Sequence, residues 1–142
     1  ILAVHGADFL GSTNMPAWAL LTSIILVSSL LNLFIGSASA KWALIAPVMV
    51  PMLMLLGISP EMATAAYRVG DGATNIITPL MVYFPLILIF CQRWQSNFGL
   101  GSLAATMLPY SIGLLLSGLA MTIFWVVLDL PLGPGASVFY TL

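Results

Sequence analysis

Charge is what this sequence has least of: of 142 residues only three are Lys or Arg and four are Asp or Glu, 5% in all. Soluble domains carry about a quarter of their residues as charged groups, so a water-facing globular fold is excluded, and the formal net charge of -1 offers nothing to nucleic acid. One cysteine, Cys91, rules out an internal disulfide, and it reads as an inert packed thiol. A single histidine, His5, has no second His or Cys at metal-ligand spacing and reads as solvated. No Ser/His/Asp set, His/Cys cluster or phosphate-cradling glycine loop is present, so an enzyme has no starting residue. No cofactor is expected. Linkers, internal repeats and low-complexity tracts are missing too, and the chain reads as one membrane unit. It starts at Ile1 with no secretory leader pattern, which suggests a fragment of a longer protein.

What is there is apolar: 61% of residues, with a mean hydropathy of +1.14. The chain is expected to be an all-α polytopic membrane protein. Residues 1–14 end in a Gly-Ser-Thr-Asn cluster and read as a loop or the tail of a preceding element. Residues 15–35 are long enough for a span of about 30 Å. Residues 36–42 then supply small residues, Ser37, Ser39 and Lys41, where a soluble loop would carry several charges. The return stretch, 42–58, is short and contains Pro47 and Pro51. Together, residues 15–58 predict a re-entrant helical hairpin with 36–41 as its tip inside the membrane. Two plain spans with Lys41 snorkelling to the surface is the alternative.

Ser59, Pro60 and Glu61 form a helix start: an N-cap, a first-turn proline and an anion at the positive end of the helix. Residues 60–93 predict a broken transmembrane helix. Its first half runs to about Gly70, two glycines interrupt it, and Thr78 and Pro79 cap and begin the second half, which ends at Arg93 and Trp94 as interfacial anchors. Residues 102–129 are the last transmembrane helix, in which Gly113 and Ser117 read as a close-packing pair, and Pro131 to Gly135 terminate it.

Within this apolar chain, Arg68 and Asp71 stand three residues apart on one helical face, in mid-span. An ionisable group at bilayer depth costs several kcal/mol unless it is paired or lines a cavity, so these mark a site. Two interrupted apolar segments are the construction by which secondary transporters aim half-helix ends and unwound carbonyls at substrate and ion. Here the helix after Ser39 and the one starting at Thr78 and Pro79 would present N–H groups to a carboxylate. Asn32, Asp71 and Asn75 would supply hard oxygen ligands for Na⁺, or Asp71 alone would carry H⁺. A fixed Arg68–Asp71 pair that merely neutralises itself is the bland alternative. Asp71 is the one acidic group in mid-span, and Asp71→Asn is expected to remove ion coupling while leaving folding nearly unchanged.

Residues 31–47 (LNLFIGSASAKWALIAP), 67–79 (YRVGDGATNIITP), 108–110 (LPY) and 130–135 (LPLGPG) strongly resemble the C-terminal part of the AbgT family. These are bacterial inner-membrane transporters linked to p-aminobenzoyl-glutamate uptake and, in some members, to sulfonamide antimetabolite efflux. The resemblance covers about residues 15–140. It implies a multi-pass homodimer in the cell membrane, contacting lipid, whose subunits have inverted repeats, each with a hairpin and a broken helix. This chain resembles only the second repeat, so the N-terminal half of the same transporter is an expected partner. By the same resemblance Ser37, Ser39, Trp42, Pro60, Arg68, Asp71 and Pro79 line or shape the cavity for a small-molecule substrate, and Asn32, Asp71 and Asn75 form a cation site. The version of the motif at residues 72–75 looks more like efflux-type members. A passive channel or facilitator, and a structural membrane subunit, are the competing functions.

Overall fold

The computed structural model describes residues 1–140, which form six helices: α1 (Leu2–Ser12), α2 (Ala17–Asn32), α3 (Ala38–Leu55), α4 (Pro60–Thr74), α5 (Phe84–Gln92) and α6 (Leu100–Val127). The segment before Asn14 is thus mostly helix, and only its last two residues form the turn that the polar cluster predicts.

The most polar helix, α4, is the one the others surround. It packs against α2, α6 and α3, with α2 making the most extensive contact. Ala63, Ala66, Gly70 and Ala73 recur at three- and four-residue spacing and are all buried, so α4 presents a stripe of small residues to its neighbours. Small side chains let helix backbones approach closely, which is how helices associate where no water is available to drive them together. Gly70 is the tightest point: a Cβ there would overlap the Ile25 carbonyl and the Ser28 and Ser29 hydroxyls of α2. On the other face Gly118 of α6 takes the Val69 side chain at similarly close range. Gly113, by contrast, faces open space and the Ser117 hydroxyl only donates to Leu114 O of its own helix, so the expected close-packing pair is replaced by Gly118.

Around this seam Leu20, Leu21, Ile24 and Ile25 of α2, Met49 and Leu53 of α3, and Met62 of α4 form the apolar core. Elsewhere the molecule is apolar outside as well: only 17% of the most apolar stretch is buried in α3, and again 17% in α6. These are the two described helices long and apolar enough to cross a membrane, and α2 is shorter.

Helix α3 corrects an expectation of length. Pro47 and Pro51 lie inside a continuous helix of 18 residues, which rises about 27 Å at 1.5 Å per residue. Each proline forfeits one backbone donor, a loss that helices in apolar surroundings accommodate.

The start of α4 follows its sequence. The Ser59 hydroxyl accepts from Met62 N at 3.2 Å and Pro60 opens the helix. Gly57, with φ of 80°, turns the chain between α3 and α4. After α6 the chain folds back, and Ser59 N donates to Val138 O at 3.0 Å and Tyr140 N to Gly57 O at 2.8 Å, which clamps the end of the described chain over that corner.

The largest correction concerns the break. Helix α4 continues through Gly70 and Gly72 to Thr74, with Asn75 N still donating to Asp71 O at 3.2 Å. The interruption lies later, at residues 75–83, and the second half begins at Phe84 and Pro85, not at Thr78 and Pro79. Helix propensity loses to packing here: the absent Cβ of Gly70 is what allows α2 to approach, so glycine costs backbone entropy yet secures the helix in place.

Candidate functional site

The two interruptions meet. Gly36, in the turn between α2 and α3, packs so closely on Leu80, in the gap between α4 and α5, that a Cβ would lie 2.5 Å from the Leu80 carbonyl oxygen. Beside this contact the C-terminal ends of α2 and α4 and the first turn of α3 converge, and each contributes a polar side chain to one buried group.

Lys41 is its centre. The side chain has no exposed surface, and its ammonium donates to Asp71 Oδ1 at 2.5 Å and to Asn32 Oδ1 at 2.7 Å. It also sits 5.4 Å from the centroid of the Tyr67 ring, a cation–π arrangement. Because an ammonium can only donate, its position fixes the Asn32 amide with Oδ1 toward Lys41 and Nδ2 toward α4. There Nδ2 faces Asp71 O at 3.1 Å, Thr74 Oγ1 at 3.0 Å and Asn75 Oδ1 at 2.9 Å. Thr74 can accept because its hydroxyl hydrogen is directed to Gly70 O, 2.9 Å away. Every buried side-chain polar atom among the described residues has a partner.

Tyr67 is fully buried beneath this group, and its hydroxyl donates to Ala38 O at 2.8 Å, tying α4 to the start of α3. Trp42 packs on it with ring centroids 4.6 Å apart. Ser28 and Ser29 reach from α2 to Tyr67 O and Gly70 O at 3.3 and 3.2 Å. The Ser111 hydroxyl of α6 donates to Ala73 O at 2.7 Å. Hydroxyls from two neighbours therefore meet α4 carbonyls around Asp71.

Several expected relations change. Asp71 pairs with Lys41, whereas Arg68 lies 3.9 Å from Asp71 Oδ2 with 61% of its side chain exposed. Arg68 instead lines an open groove between α4 and α6 with Val69, Gly72, Ser117, Gly118 and Met121. Of the three oxygen ligands expected for a cation, the side chains of Asn32 and Asp71 converge on one point, where the Lys41 ammonium sits, while Asn75 Oδ1 is turned to Asn32 Nδ2. Ser37 accepts from Ala40 N at 3.3 Å as the cap of α3, and Ser39 is exposed on its first turn. Pro79 is exposed next to the Gly36 contact, with no helix start behind it. Pro60 stands at the opposite end of α4, about 16 Å along the axis from Asp71, and does not join the group. Finally, Asp71→Asn would strand a buried ammonium, so the expectation of unchanged folding is withdrawn.

Lys41 and Tyr67 are the members that sequence reasoning passed over. The signal for Lys41 was available: it is the one lysine in the chain, set in a stretch otherwise free of charge.

An all-helical chain with an apolar exterior and an ion pair buried where two interrupted segments touch has the construction of a membrane transport protein. The chain belongs to the AbgT putative transporter family, whose family model matches residues 1–140. It is 37% identical over 134 residues to the p-aminobenzoyl-glutamate transport protein of Escherichia coli (strain K12), covering 94% of this chain and 26% of that one. Among solved structures it is similar to the Alcanivorax borkumensis YdaH transporter, described as having an unusual topology, at 56% identity and a TM-score of 0.90, covering 94% of this chain and 28% of that one. It is also similar to Neisseria gonorrhoeae MtrF, described as illuminating a class of antimetabolite efflux pumps, at 48% identity and a TM-score of 0.84, covering 95% and 27%. The chain thus spans about a quarter of the length of these relatives.

Proposed function

We propose that this chain forms the second-repeat half of the transport pathway in a cation-coupled secondary transporter, with Asp71 as the residue through which ion and substrate movement are linked. The single observation that carries this is the buried Lys41–Asp71–Asn32 group, a charged cluster placed between two interrupted segments rather than in a continuous bundle. The coupling ion is Na⁺ or H⁺. The expected hairpin tip at 36–41 is turn only up to Ser37, its last four residues being the first turn of α3; with its bounds moved to 33–37, this turn is read as the tip of a re-entrant hairpin within the membrane, a reading supported by its packing against the 75–83 gap. The N-terminal half of the same transporter completes the cavity, and the whole works as a homodimer in the bacterial inner membrane, contacting lipid.

The substrate is a small aromatic carboxylate of the p-aminobenzoyl-glutamate kind or a sulfonamide-type antimetabolite. The E. coli relative's name supports the first and the Neisseria relative the second, and higher identity to the latter, 48% against 37%, favours efflux. Arg68, exposed in its groove, would meet the anionic group.

The test uses the full-length transporter in proteoliposomes with radiolabelled p-aminobenzoyl-glutamate. Net accumulation or extrusion against a substrate gradient is expected only when a Na⁺ or H⁺ gradient is imposed. Substrate that merely equilibrates under every gradient would make the protein a facilitator.

A further inference from the structure

We infer that Lys41 is a tethered occupant of the cation site, so that its ammonium and the coupling cation take turns on the same two oxygens. This rests on reading the Asn32–Asp71 group as a cation site. The Lys41 nitrogen is 2.5 Å from Asp71 Oδ1 and 2.7 Å from Asn32 Oδ1, with no exposed surface. A hard cation such as Ca²⁺ sits about 2.3–2.6 Å from its oxygen ligands, and Na⁺ has nearly the same radius. The ammonium therefore holds the position that a bare alkali cation would fill, and two positive charges cannot share it. On its other side the Asn32 amide is held by Thr74 and Asn75 as well.

Exchange requires a movement at the start of α3. Lys41 is rooted in the first turn of that helix and its side chain is wholly buried, so withdrawing the ammonium needs this turn, whose residues Ser39 and Ala40 are exposed, to shift. Removal of the ammonium leaves Asp71 with only the largely exposed Arg68, 3.9 Å from Oδ2, as a counter-charge, so an arriving cation meets an under-compensated carboxylate. Binding of the ion and withdrawal of Lys41 then become one event, which carries occupancy of the site to α3 and the adjoining Gly36–Leu80 contact. Lys41 would accordingly set how much cation is required.

The test measures Na⁺-dependent thermal stabilisation of the full-length transporter in detergent, at fixed pH, with choline chloride holding ionic strength constant. Lys41→Met, which keeps the stem and removes the charge, should lower the Na⁺ concentration for half-maximal stabilisation at least tenfold, or create a response where the unaltered protein has none. Lys41→Met/Asp71→Asn should abolish that response. An unchanged or weaker response in Lys41→Met, including none in either protein, overturns the inference. If Lys41→Met fails to fold, acylation of Lys41 in the unaltered protein decides, read by peptide mass spectrometry: labelling that rises with Na⁺ supports exchange, and labelling indifferent to Na⁺ overturns it. Asp71→Asn alone separates the two levels. A Na⁺ response that survives Asp71→Asn defeats the cation-site reading itself, whereas one lost there yet unmoved by Lys41→Met defeats only the role of Lys41.

Discussion

Gly70→Val should prevent the full-length protein from accumulating in the membrane, while Gly72→Ala, two residues away, should be tolerated. The difference follows from what each glycine faces. A Cβ at Gly70 overlaps the Ile25 backbone carbonyl, which cannot rotate aside as a side chain could, together with the Ser28 and Ser29 hydroxyls. Overpacking in a well-packed interior typically costs about 1–3 kcal/mol. Here α2 must also retreat as a unit, which pulls Asn32 away from Asp71, Thr74 and Asn75 and leaves Lys41 short of a partner. Even Gly70→Ala should be strongly destabilising. Gly72 has nothing within 4 Å of its virtual Cβ and lies inside a helix, where alanine is favoured over glycine by about 1 kcal/mol. Expression yield and the thermal unfolding midpoint in detergent check both. Equal damage from Gly70→Ala and Gly72→Ala would mean that α2 and α4 are not packed as described.

The second large effect is expected from splitting the buried pair. Removing one partner of a buried salt bridge costs about 3–5 kcal/mol, because the other charge is left without compensation. In choline chloride without Na⁺, Lys41→Met and Asp71→Asn should each lose stability on that scale. The double variant should recover most of it, since two neutral groups of similar shape need no counter-ion, and the non-additivity measures the coupling between them. Arg68→Gln is the control. With 61% of its side chain exposed and its closest approach to the carboxylate at 3.9 Å, Arg68 should contribute no more than about 1 kcal/mol, as exposed ion pairs do. A loss from Arg68→Gln as large as that from Asp71→Asn would restore Arg68 as the partner of Asp71.

Much of this arrangement was legible from the residues. Scarcity of charge located Asp71, since a carboxylate amid apolar runs demands an explanation, and the small and polar runs at 36–41 and 70–75 announced two interruptions, which the structure shifts to 33–37 and 75–83. Ser59 and Pro60 set the start of α4 through local chemistry, which a sequence expresses directly. What could not be read was anything decided by a distant neighbour. Gly70 looked like a helix breaker because its propensity is local, whereas its use as a contact for Ile25 and Ser28 is tertiary. Spacing made Arg68 the obvious partner of Asp71, because i,i+3 pairs share a helix face. The true partner is 30 residues away on another helix, and no periodicity connects them. Asn32 and Asn75 were both recognisable as oxygen donors, yet which way an amide turns depends on the ammonium beside it.

The most direct measurement for the coupling role of Asp71 is flux through the folded but uncharged site. The Lys41→Met/Asp71→Asn transporter, reconstituted in proteoliposomes and shown by its thermal midpoint to be folded, is loaded with radiolabelled p-aminobenzoyl-glutamate under imposed Na⁺ or H⁺ gradients. Gradient-driven movement should fall to the level of empty liposomes, while Glu61→Gln, an exposed change at the far end of α4, leaves it intact. Movement by the double variant at the unaltered rate and with unaltered gradient dependence would contradict the account and leave Asp71 as no more than half of a structural ion pair.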